Sequence, residues 1–511
     1  MRHTERGDYK IRVIRILFFL SNVSKARHFD SVIQMLAERG HTVVLASARQ
    51  RRPLALPKNL SLANRNLAAR RLPGRVEIIP CPAHRVDWWQ RFAPALRQAR
   101  DYMRFLDPRY AHAAKLRSRS ATHTPRAWLR LVRDHPWLAR HRRLVARALA
   151  LAEAAIPSEK LFDLFIAYER PDLVLVTPLV DYGSYQTDYV KSAHRVGVPV
   201  VFAPFSWDNL TNRGLIRVEP DRVIVWNEIQ KREATDLRGV SAERVIVAGA
   251  PRFDAFFAMR PSTTREEFCA RIGLNPAAPV LLYLCSSEFV APREVEFVTR
   301  WMSHLRQSSE TEVRTSGVLV RPHPAHLKQW KDVDLSGCPN AALWDERQIM
   351  NADQSLYDSL HHSSAVIGLN TSAMIEAGIL DKPVFTLVME EFTGGQEGTL
   401  HFHYLRAANG GLLHEAHGFD EHVTQLGAIL RAGAGSGGAG DQIRRFVEGF
   451  VRPRGLQTPV TPIVVEEIER AARIAKRPRG AALWHYAARG GLRAAFTLRT
   501  RAAARKRRRR R

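Results

Sequence analysis

The sequence predicts an α/β protein with two doubly wound lobes. Short apolar runs, suited to buried strands, alternate with helical apolar spacing in two blocks, 11–254 and 280–388. The unit Ala365–Phe385 gives the pattern most completely, as strand, turn, helix and strand. A basic aromatic stretch at Arg85–Ala155 interrupts the first block. We therefore expect a helical insertion in the first lobe and, after the second, a basic helical C-terminal tail.

Composition narrows the function classes. The 511 residues suffice for two or three domains with full cores. A formal net charge of +28 predicts attraction to an anionic surface or substrate. The four cysteines have no metal-finger spacing, which favours a reducing compartment. Since Ile11–Leu20 is too short and too charged to span a bilayer, we expect a cytoplasmic protein without a transmembrane helix.

The first lobe is predicted at residues 10–257, with the insertion at 85–155. The opening unit is a strand at Ile11–Leu20, a helix at Phe29–Arg39 and a strand at Thr42–Ala46, a βαβ pattern that favours a doubly wound sheet. Further strands are predicted at Val76–Pro80, Leu173–Thr177, Val198–Ala203, Arg222–Trp226 and Arg244–Ala248, and a helix at Glu228–Leu237.

The second lobe is predicted at residues 258–450, and C-terminal helices and a basic tail at 451–511. Its strands are predicted at Val280–Cys285, Gly317–Val320, Ala341–Trp344, Ala365–Leu369 and Val384–Val388. The Gly-rich stretch Gly433–Gly440 indicates a loop or linker, and helices are expected at 441–451 and 464–475.

The turn Asn370–Ser372 is the strongest candidate for a binding site. Any of its three residues can cap the helix that follows, and a helix N-terminus at the carboxyl edge of a parallel sheet attracts phosphate. Glu376 shares a helix face with Ser372 but is one residue too distant for a capping box, which leaves it for ligand hydroxyl groups such as those of ribose. An ordinary capped βαβ unit explains the same pattern.

Two stretches carry a family resemblance. The first is PFSWDNLTNRGLI with ERVIVAGAPRFD, within Ala203–Phe256; the second joins LVRPHP at Leu319–Pro324 to SAVIGLNTSAMIEAGILDKPVF and FTGGQEGTLHFHYL. Together they resemble bacterial GT-B glycosyltransferase-fold proteins of surface polysaccharide synthesis. The nearest comparisons are the CDP-glycerol glycerophosphotransferase-like branch and the capsule and lipopolysaccharide sugar transferases. The resemblance covers roughly Ile11–Leu405, without the insertion.

The resemblance implies two facing Rossmann-like domains, with a nucleotide donor held mainly by the second and an acceptor by the first. It implies that Asn370, Thr371 and Ser372 hold the donor diphosphate and that Glu376 binds ribose. Arg321 and His323 would lie near the phosphates, with His323 taking part in catalysis. His28 matches the position of a base in the first helix. Because NTS stands where glycerophosphotransferases have an Asp-rich turn, a sugar nucleotide is favoured over a polyol-phosphate donor.

Other candidates follow the predicted strands. Asp208 and Asn209 lie in a polar loop where they either bind acceptor hydroxyl groups or form an Asx-type turn. Ser286 and Ser287 follow the first strand of the second lobe and would face the donor. Gln396 and Thr399 either close over the donor or belong to an ordinary glycine-containing loop. His28 has the titration range of a base, or is a loop histidine without a role. A retaining mechanism would leave it only a binding role.

No cofactor or metal is expected. No His, Asp or Glu cluster has metal-ligand spacing, and helix N-termini with Arg can neutralise a diphosphate. Neither GxxxxGK[ST] nor GxGxxG occurs at a strand–helix turn.

The basic insertion and tail predict peripheral attachment to the inner face of the cell membrane. Leu483–Leu498 is amphipathic, and Arg505–Arg511 is wholly basic. A disordered, solvated tail is the alternative. Nucleic acid is disfavoured as a partner, because positive charge also spreads through the insertion of an enzyme-like domain. Two other functions stay open: a CDP-glycerol-type polyol-phosphate transferase, and a non-catalytic membrane-associated scaffold of the same fold.

Overall fold

Two parallel β-sheets, one in each lobe, form the body of the molecule. The computed structural model describes residues 12–47, 74–335, 337–344, 352–432, 439–480 and 482–494. Within these residues, no helix is both long enough and apolar enough to cross a membrane. The predicted basic stretch Arg505–Arg511 lies outside the described residues.

The first sheet has seven strands in the order β3-β2-β1-β4-β5-β6-β7. Its strands are β1 Arg15–Leu20, β2 Thr42–Ser47, β3 Arg75–Pro80, β4 Leu173–Thr177, β5 Val200–Phe202, β6 Arg222–Val225 and β7 Val245–Val247. The helices up to the end of this lobe are α1 Asp30–Glu38, α2 Phe92–Arg104, α3 Ala114–Thr122, α4 Arg126–Asp134, α5 Trp137–Arg140, α6 Arg142–Ala155, α7 Lys160–Glu169, α8 Gln186–Val196, α9 Asn209–Asn212, α10 Glu228–Arg232 and α11 Asp254–Ala258.

The second sheet has six strands in the order β10-β9-β8-β11-β12-β13. They are β8 Val280–Leu284, β9 Gly317–Arg321, β10 Ala341–Leu343, β11 Ala365–Gly368, β12 Val384–Leu387 and β13 Leu413–Ala416. The remaining helices are α12 Arg265–Ile272, α13 Glu294–Arg306, α14 Thr311–Arg314, α15 Ala352–His362, α16 Ala373–Ile379, α17 Phe402–Ala407, α18 Phe419–Ala432, α19 Ala439–Phe450 and α20 Val460–Ala471.

Period-two alternation places the core on both faces of the first sheet. Leu17 and Phe19 pack with apolar residues of α7 and α8, whereas Phe18 and Leu20 pack on the opposite face with those of α1. Helix α20 also packs on that second face, so the chain returns from the second lobe to complete the core of the first.

Helices α2 to α6 lie within the stretch Arg85–Ala155 that was predicted to be an insertion. It contacts two other parts of the chain. Leu116 of α3 lies in an apolar cluster with Phe289 and Leu400 of the second lobe. A tail helix, residues 483–494, packs Leu492 against a cluster that contains Trp89. The insertion therefore connects the tail to the junction of the lobes.

Three local details differ from the sequence predictions. The segment between the predicted strand Ile11–Leu20 and the predicted helix Phe29–Arg39 contains a 3-10 helix, Val23–Phe29, whose first turn Asn22 caps. Helix α10 is followed by a π-helical turn at Glu233–Leu237. Strand β13 was not predicted, because Leu413–Ala416 is short and half polar and therefore carries little strand signal.

Candidate active site

The loops after β8 and β11 lie side by side, because these strands are neighbours where the strand order reverses. Open parallel sheets bind ligands at such a switch point. The backbone N–H of Asn370, after β11, donates to the hydroxyl of Ser286, after β8, over 3.4 Å. The first sheet has its own reversal between β1 and β4. Each lobe therefore has one switch point at the carboxyl edge of its sheet, where sheets of this kind bind ligands.

Side chains bridge the two carboxyl edges. The indole N–H of Trp207, from the loop after β5, donates to the hydroxyl of Ser372 over 3.0 Å. Arg252, which follows β7, donates to a carboxylate oxygen of Glu376 over 3.0 Å. Both contacts join a loop of the first lobe to the turn or helix α16 of the second. The turn Asn370–Ser372 therefore lies at the junction of the lobes.

The side chains of this turn do not cap α16, which corrects the prediction. Ser372 has helical backbone angles, φ −63° and ψ −27°, and its side chain bonds to no helix N–H. The amide of Asn370 donates instead to the carbonyl of Gly395 over 2.8 Å. The carbonyl of Thr371 accepts from the N–H of Met374 over 3.2 Å. The hydroxyl of Ser372 accepts from Trp207 and keeps its own hydrogen for a further acceptor.

Glu376, Arg252 and His28 form a chain across the gap. Arg252 contacts Glu376 through one nitrogen and lies 3.4 Å from Nδ1 of His28 through another. The sequence had suggested that the carboxylate of Glu376 is unengaged. The structure instead shows it bonded to Arg252. Burial raises the pKa of Glu376, although Arg252 opposes this. Burial, then the charges of Arg252, Arg27 and Lys25, hold the pKa of His28 well below its ordinary value.

Asp208 lies in the same loop as Trp207, within reach of the second lobe. It accepts from the amide of Asn212 over 2.7 Å. Burial would raise the pKa of Asp208, but His401, Arg213 and hydrogen bonds from Ser206 and Asn212 together lower it below its ordinary value. The carboxylate is consequently ionised at neutral pH.

Asn209 has a structural role in this loop. Its side-chain oxygen accepts from the backbone N–H of Phe205 over 3.1 Å, and the residue is buried. It therefore fixes the loop that carries Asp208 through a bond to a residue four positions earlier, which is not the geometry of an Asx-type turn. Acceptor binding by Asn209 stays a prediction.

Arg321 does not direct its guanidinium to the turn. It donates to the carbonyl and hydroxyl of Ser355 and to the hydroxyl of Ser359 on α15, at 2.9 to 3.1 Å. Its ring neighbour is Trp344, 4.4 Å from the guanidinium. Arg321 therefore anchors α15, and a contact between Arg321 and the donor phosphates stays a prediction. His323 accepts from the N–H of Ala325 through Nδ1 over 3.1 Å, and burial, then His326, lowers its pKa.

The four remaining predicted donor contacts surround the turn. Ser286 is buried and its N–H donates to both oxygens of Glu294, whereas Ser287 is half-buried. The amide of Gln396 donates to the carbonyl of Leu369, among other acceptors, at 3.0 Å. Thr399 donates to the carbonyl of Gln396 over 2.8 Å. Gln396 and Thr399 therefore shape the loop over the sheet edge with side chains that are already bonded.

Sequence reasoning missed four side chains at the junction: Lys25, Trp207, Arg252 and His401. The edge of the Trp207 ring faces His401, with ring centres 4.9 Å apart. Burial lowers the pKa of His401 to about 4. Arg252 had a usable signal, since it lies in the segment that follows strand β7, as the turn Asn370–Ser372 follows β11. His401 had none, because no local pattern reveals a contact between residues so far apart in the chain.

Among the residues that the structure describes, no group of three or more His, Cys, Asp or Glu side chains could hold a metal ion. A metal-independent reaction remains a prediction.

Comparisons with known proteins identify the fold of this chain. The sequence matches no protein-family model and no curated protein. Among solved structures, the chain is similar to a glycosyltransferase from Rickettsia africae ESF-5, at 10% identity, with 91% of this chain and 100% of that one covered and a TM-score of 0.51. A putative UDP-N-acetylglucosamine 2-epimerase from Listeria monocytogenes is 11% identical, with 92% and 100% covered and a TM-score of 0.49. The sheets and the first of these likenesses confirm the predicted two-lobed GT-B fold.

Proposed function

We propose that this protein is a glycosyltransferase that moves a sugar from a nucleotide-sugar donor to a surface glycan or a lipid-linked acceptor. The main support is the meeting of two carboxyl-edge crevices through Trp207–Ser372 and Arg252–Glu376. A glycosyltransferase of known structure shares this fold. Two crevices in contact suit a reaction that joins two substrates, because each lobe can hold one of them.

The donor is assigned to the second lobe. Its diphosphate would lie at the turn Asn370–Ser372, where the hydroxyl of Ser372 retains a hydrogen to donate. Arg252 supplies the cation that a leaving diphosphate needs, in place of the predicted Arg321. The carboxylate of Glu376 has one oxygen bonded to Arg252. Its other oxygen is assigned to a ribose hydroxyl.

The acceptor is assigned to the first lobe, with Asp208 as the base in an inverting reaction. An ionised carboxylate at the lobe junction can take the proton of an acceptor hydroxyl as the new bond forms. His28 faces the cation of Arg252 through Nδ1, so the tautomer that accepts there carries its hydrogen on Nε2. That tautomer donates rather than accepts at Nε2. We therefore assign His28 a binding role.

A thermal-shift screen tests the donor assignment. UDP-, GDP-, CDP- and dTDP-sugars are compared with CDP-glycerol, because a ligand that binds only the folded state raises the melting temperature. We expect one nucleotide sugar to stabilise the protein, less so in Glu376→Gln. Glu266→Gln, at an exposed position of the same lobe, is the control. Stabilisation by CDP-glycerol alone would identify a polyol-phosphate transferase, and stabilisation by none would favour the non-catalytic scaffold.

We further propose that the insertion and tail attach the protein to an anionic membrane. The exposed faces of α4 to α7 and the tail helix carry most of the large apolar side chains that are open to solvent: Leu131, Trp137, Leu144, Leu151, Leu161, Leu164, Tyr168, Leu483, Trp484 and Tyr486. We call this set the apolar platform. Residues 126–155 add seven Arg and only two acidic residues, one of which, Glu153, is buried against Arg97.

Contacts of the tail helix support a single platform rather than two separate ones. The guanidinium of Arg489 donates to the carbonyl of Ala155, at the end of α6, over 2.8 Å. Arg493 lies 5.8 Å from the rings of Trp88 and Trp89. The tail aromatics are thereby held beside the α6–α7 connection. Apolar side chains among basic ones fit the interface of an anionic bilayer.

Vesicle co-sedimentation tests this attachment. We expect binding to vesicles of phosphatidylcholine with 30% phosphatidylglycerol and little binding to phosphatidylcholine alone, since each basic residue near the surface adds about 1 kcal/mol. Replacing Leu144, Leu151 and Trp484 with Ser should lower binding about tenfold or more. Leu327→Ser, an exposed leucine of the second lobe, should change nothing. Equal binding by all variants would exclude the apolar platform.

A further inference from the structure

Lys25 is a half-buried cation at the switch point of the first lobe. It lies in the 3-10 helix after β1, and its ammonium stands 4.2 Å from the ring centre of Phe205. The guanidinium of Arg213 lies 5.4 Å from the same ring. Among the described residues, no hydrogen bond or ion pair engages the ammonium of Lys25. A cation placed this way has lost hydration and gained only the face of an aromatic ring.

The charges around Lys25 leave a positive excess. Arg213 pairs with Asp181 from the loop after β4, and Arg252 from the loop after β7 pairs with Glu376. Asp208, from the loop after β5, bonds to Asn212. On the element of Lys25 itself, Arg27 adds a further charge and His28 adds none, since its pKa is held low. Asp181 and Glu376 are thus already paired with cations, and the charge of Asp208 alone does not balance those of Lys25 and Arg27.

The pKa of Lys25 reflects its burial and the charges around it. Burial, then the charges of Arg213 and Arg27, lowers the pKa of Lys25 to about 8, while Asp181 and Asp208 act in the opposite direction. A neighbouring anion would favour the ammonium again, because an opposite charge in hydrogen-bond contact stabilises it.

We propose that Lys25 is a phosphate-binding residue of the first lobe, and that it takes up a proton from solution when the phosphate binds. This inference deepens the proposed function, on which it rests, by assigning a phosphate contact to the first lobe. The phosphate belongs either to the donor diphosphate or to a phosphorylated acceptor. Arg213 stands beside it as the second cation of the site.

Calorimetry in buffers of different ionisation enthalpy measures the proton uptake directly. The probes are UDP, GDP, CDP and dTDP for the donor, inorganic pyrophosphate for the bare anion, and a short-chain polyprenyl phosphate for the acceptor. At pH 8.0 the wild type should take up about half a proton on binding, since a group with a pKa of about 8 is half charged there. At pH 6.5 the uptake should nearly vanish.

Three variants separate this site from its alternatives. Lys25→Met should lose the proton uptake and bind at least tenfold more weakly, whereas Lys25→Arg should lose the uptake but bind within about threefold of the wild type. Lys160→Met, at an exposed position of the first lobe, should resemble the wild type. Melting temperatures within about 2 °C of each other establish that the variants are folded.

Each outcome decides the inference. If Lys25→Met weakens a nucleotide, the phosphate is that of the donor; if it weakens only the polyprenyl phosphate, it is that of the acceptor. Unchanged affinity and uptake in Lys25→Met would overturn the role of Lys25 while leaving the proposed function intact. Absence of binding by every probe to the wild type would overturn both.

Discussion

Single side chains at the lobe junction divide into those that hold loops and those left to meet substrates. The polar side-chain atoms of Asn209 and Arg321 bond to the protein itself. Asp208 keeps an ionised carboxylate near the second lobe. The distinction matters because a buried, fully bonded side chain has little capacity for a ligand, whatever its residue type.

The variant Asp208→Asn tests most directly whether Asp208 meets the substrate or only holds its loop. We expect kcat to fall by about 10²- to 10⁴-fold with donor affinity unchanged, because the amide cannot take the acceptor proton. His28→Gln should mainly raise KM for the acceptor. The check is steady-state kinetics of sugar transfer, with donor affinity from calorimetry. A collapse of kcat in His28→Gln, with Asp208→Asn active, would reverse the two roles.

Only part of this site could be predicted from sequence. The turn Asn370–Ser372 was found because an apolar strand, capping residues and a helix are contiguous in the chain. The hydrogen bonds of Arg321 to α15 could not be predicted from sequence, since they join residues more than thirty positions apart. Contacts between lobes, such as Arg252–Glu376, depend on tertiary arrangement and leave no local periodicity.

Among helices and loops, the connection from β8 to α13 shows how a buried acid fixes a crevice wall. Glu294 in the first turn of α13 accepts from the N–H of Ser286 at 2.8 and 3.0 Å and from the hydroxyl of Tyr283 at 3.1 Å. The loop between them is held at the edge of the sheet, beside Asn370. Local sequence predicted the strand, but not this bond between the strand end and the helix.

The protonation of Glu294 should make the free energy of unfolding of the protein depend on pH. Burial raises the pKa of Glu294 from 4.5 to about 7, although Ser286 and Tyr283 oppose this. Between those values the folded state binds more protons than the unfolded state, so stability falls as pH rises from about 4.5 to about 7 and then levels off. Over this pH range the free energy of unfolding falls by roughly 3 kcal/mol.

Glu294→Gln removes this contribution. Its melting temperature should decline less than that of the wild type between pH 5 and pH 8, as followed by circular dichroism. Glu296→Gln, two residues along the same helix and exposed, is the matched control and should follow the wild type. Parallel curves for the wild type and Glu294→Gln would contradict the buried, proton-binding carboxyl.

For the molecule as a whole, the chain crosses back from the second lobe to the first. Val460, Val464 and Ile468 of α20 lie in the same core cluster as Phe18 of β1. The N–H of Thr461 donates to Asp254 over 2.6 Å, which fixes the start of this helix. The sequence predicted helices after 451 but could not assign them to a lobe, because an apolar helical face does not identify its partner.

Truncation separates the role of α20 from that of the tail. Removal of 452–511 should leave the first lobe unfolded or aggregated, since each large apolar side chain that loses its burial costs about 1.5–3 kcal/mol. Removal of 482–511 should leave a folded protein that has lost vesicle binding. Melting curves and size-exclusion chromatography distinguish these outcomes. A cooperative, unchanged transition for 1–451 would contradict a shared core.

A crystal structure with the nucleoside diphosphate chosen by the thermal-shift screen tests the proposed site most directly. The diphosphate should lie in the gap between the lobes, within hydrogen-bond distance of the turn Asn370–Ser372 and facing Arg252. A nucleotide bound outside this gap would contradict the proposed site. A structure in which Trp207 still bonds to Ser372 while the ligand lies elsewhere would contradict it as well.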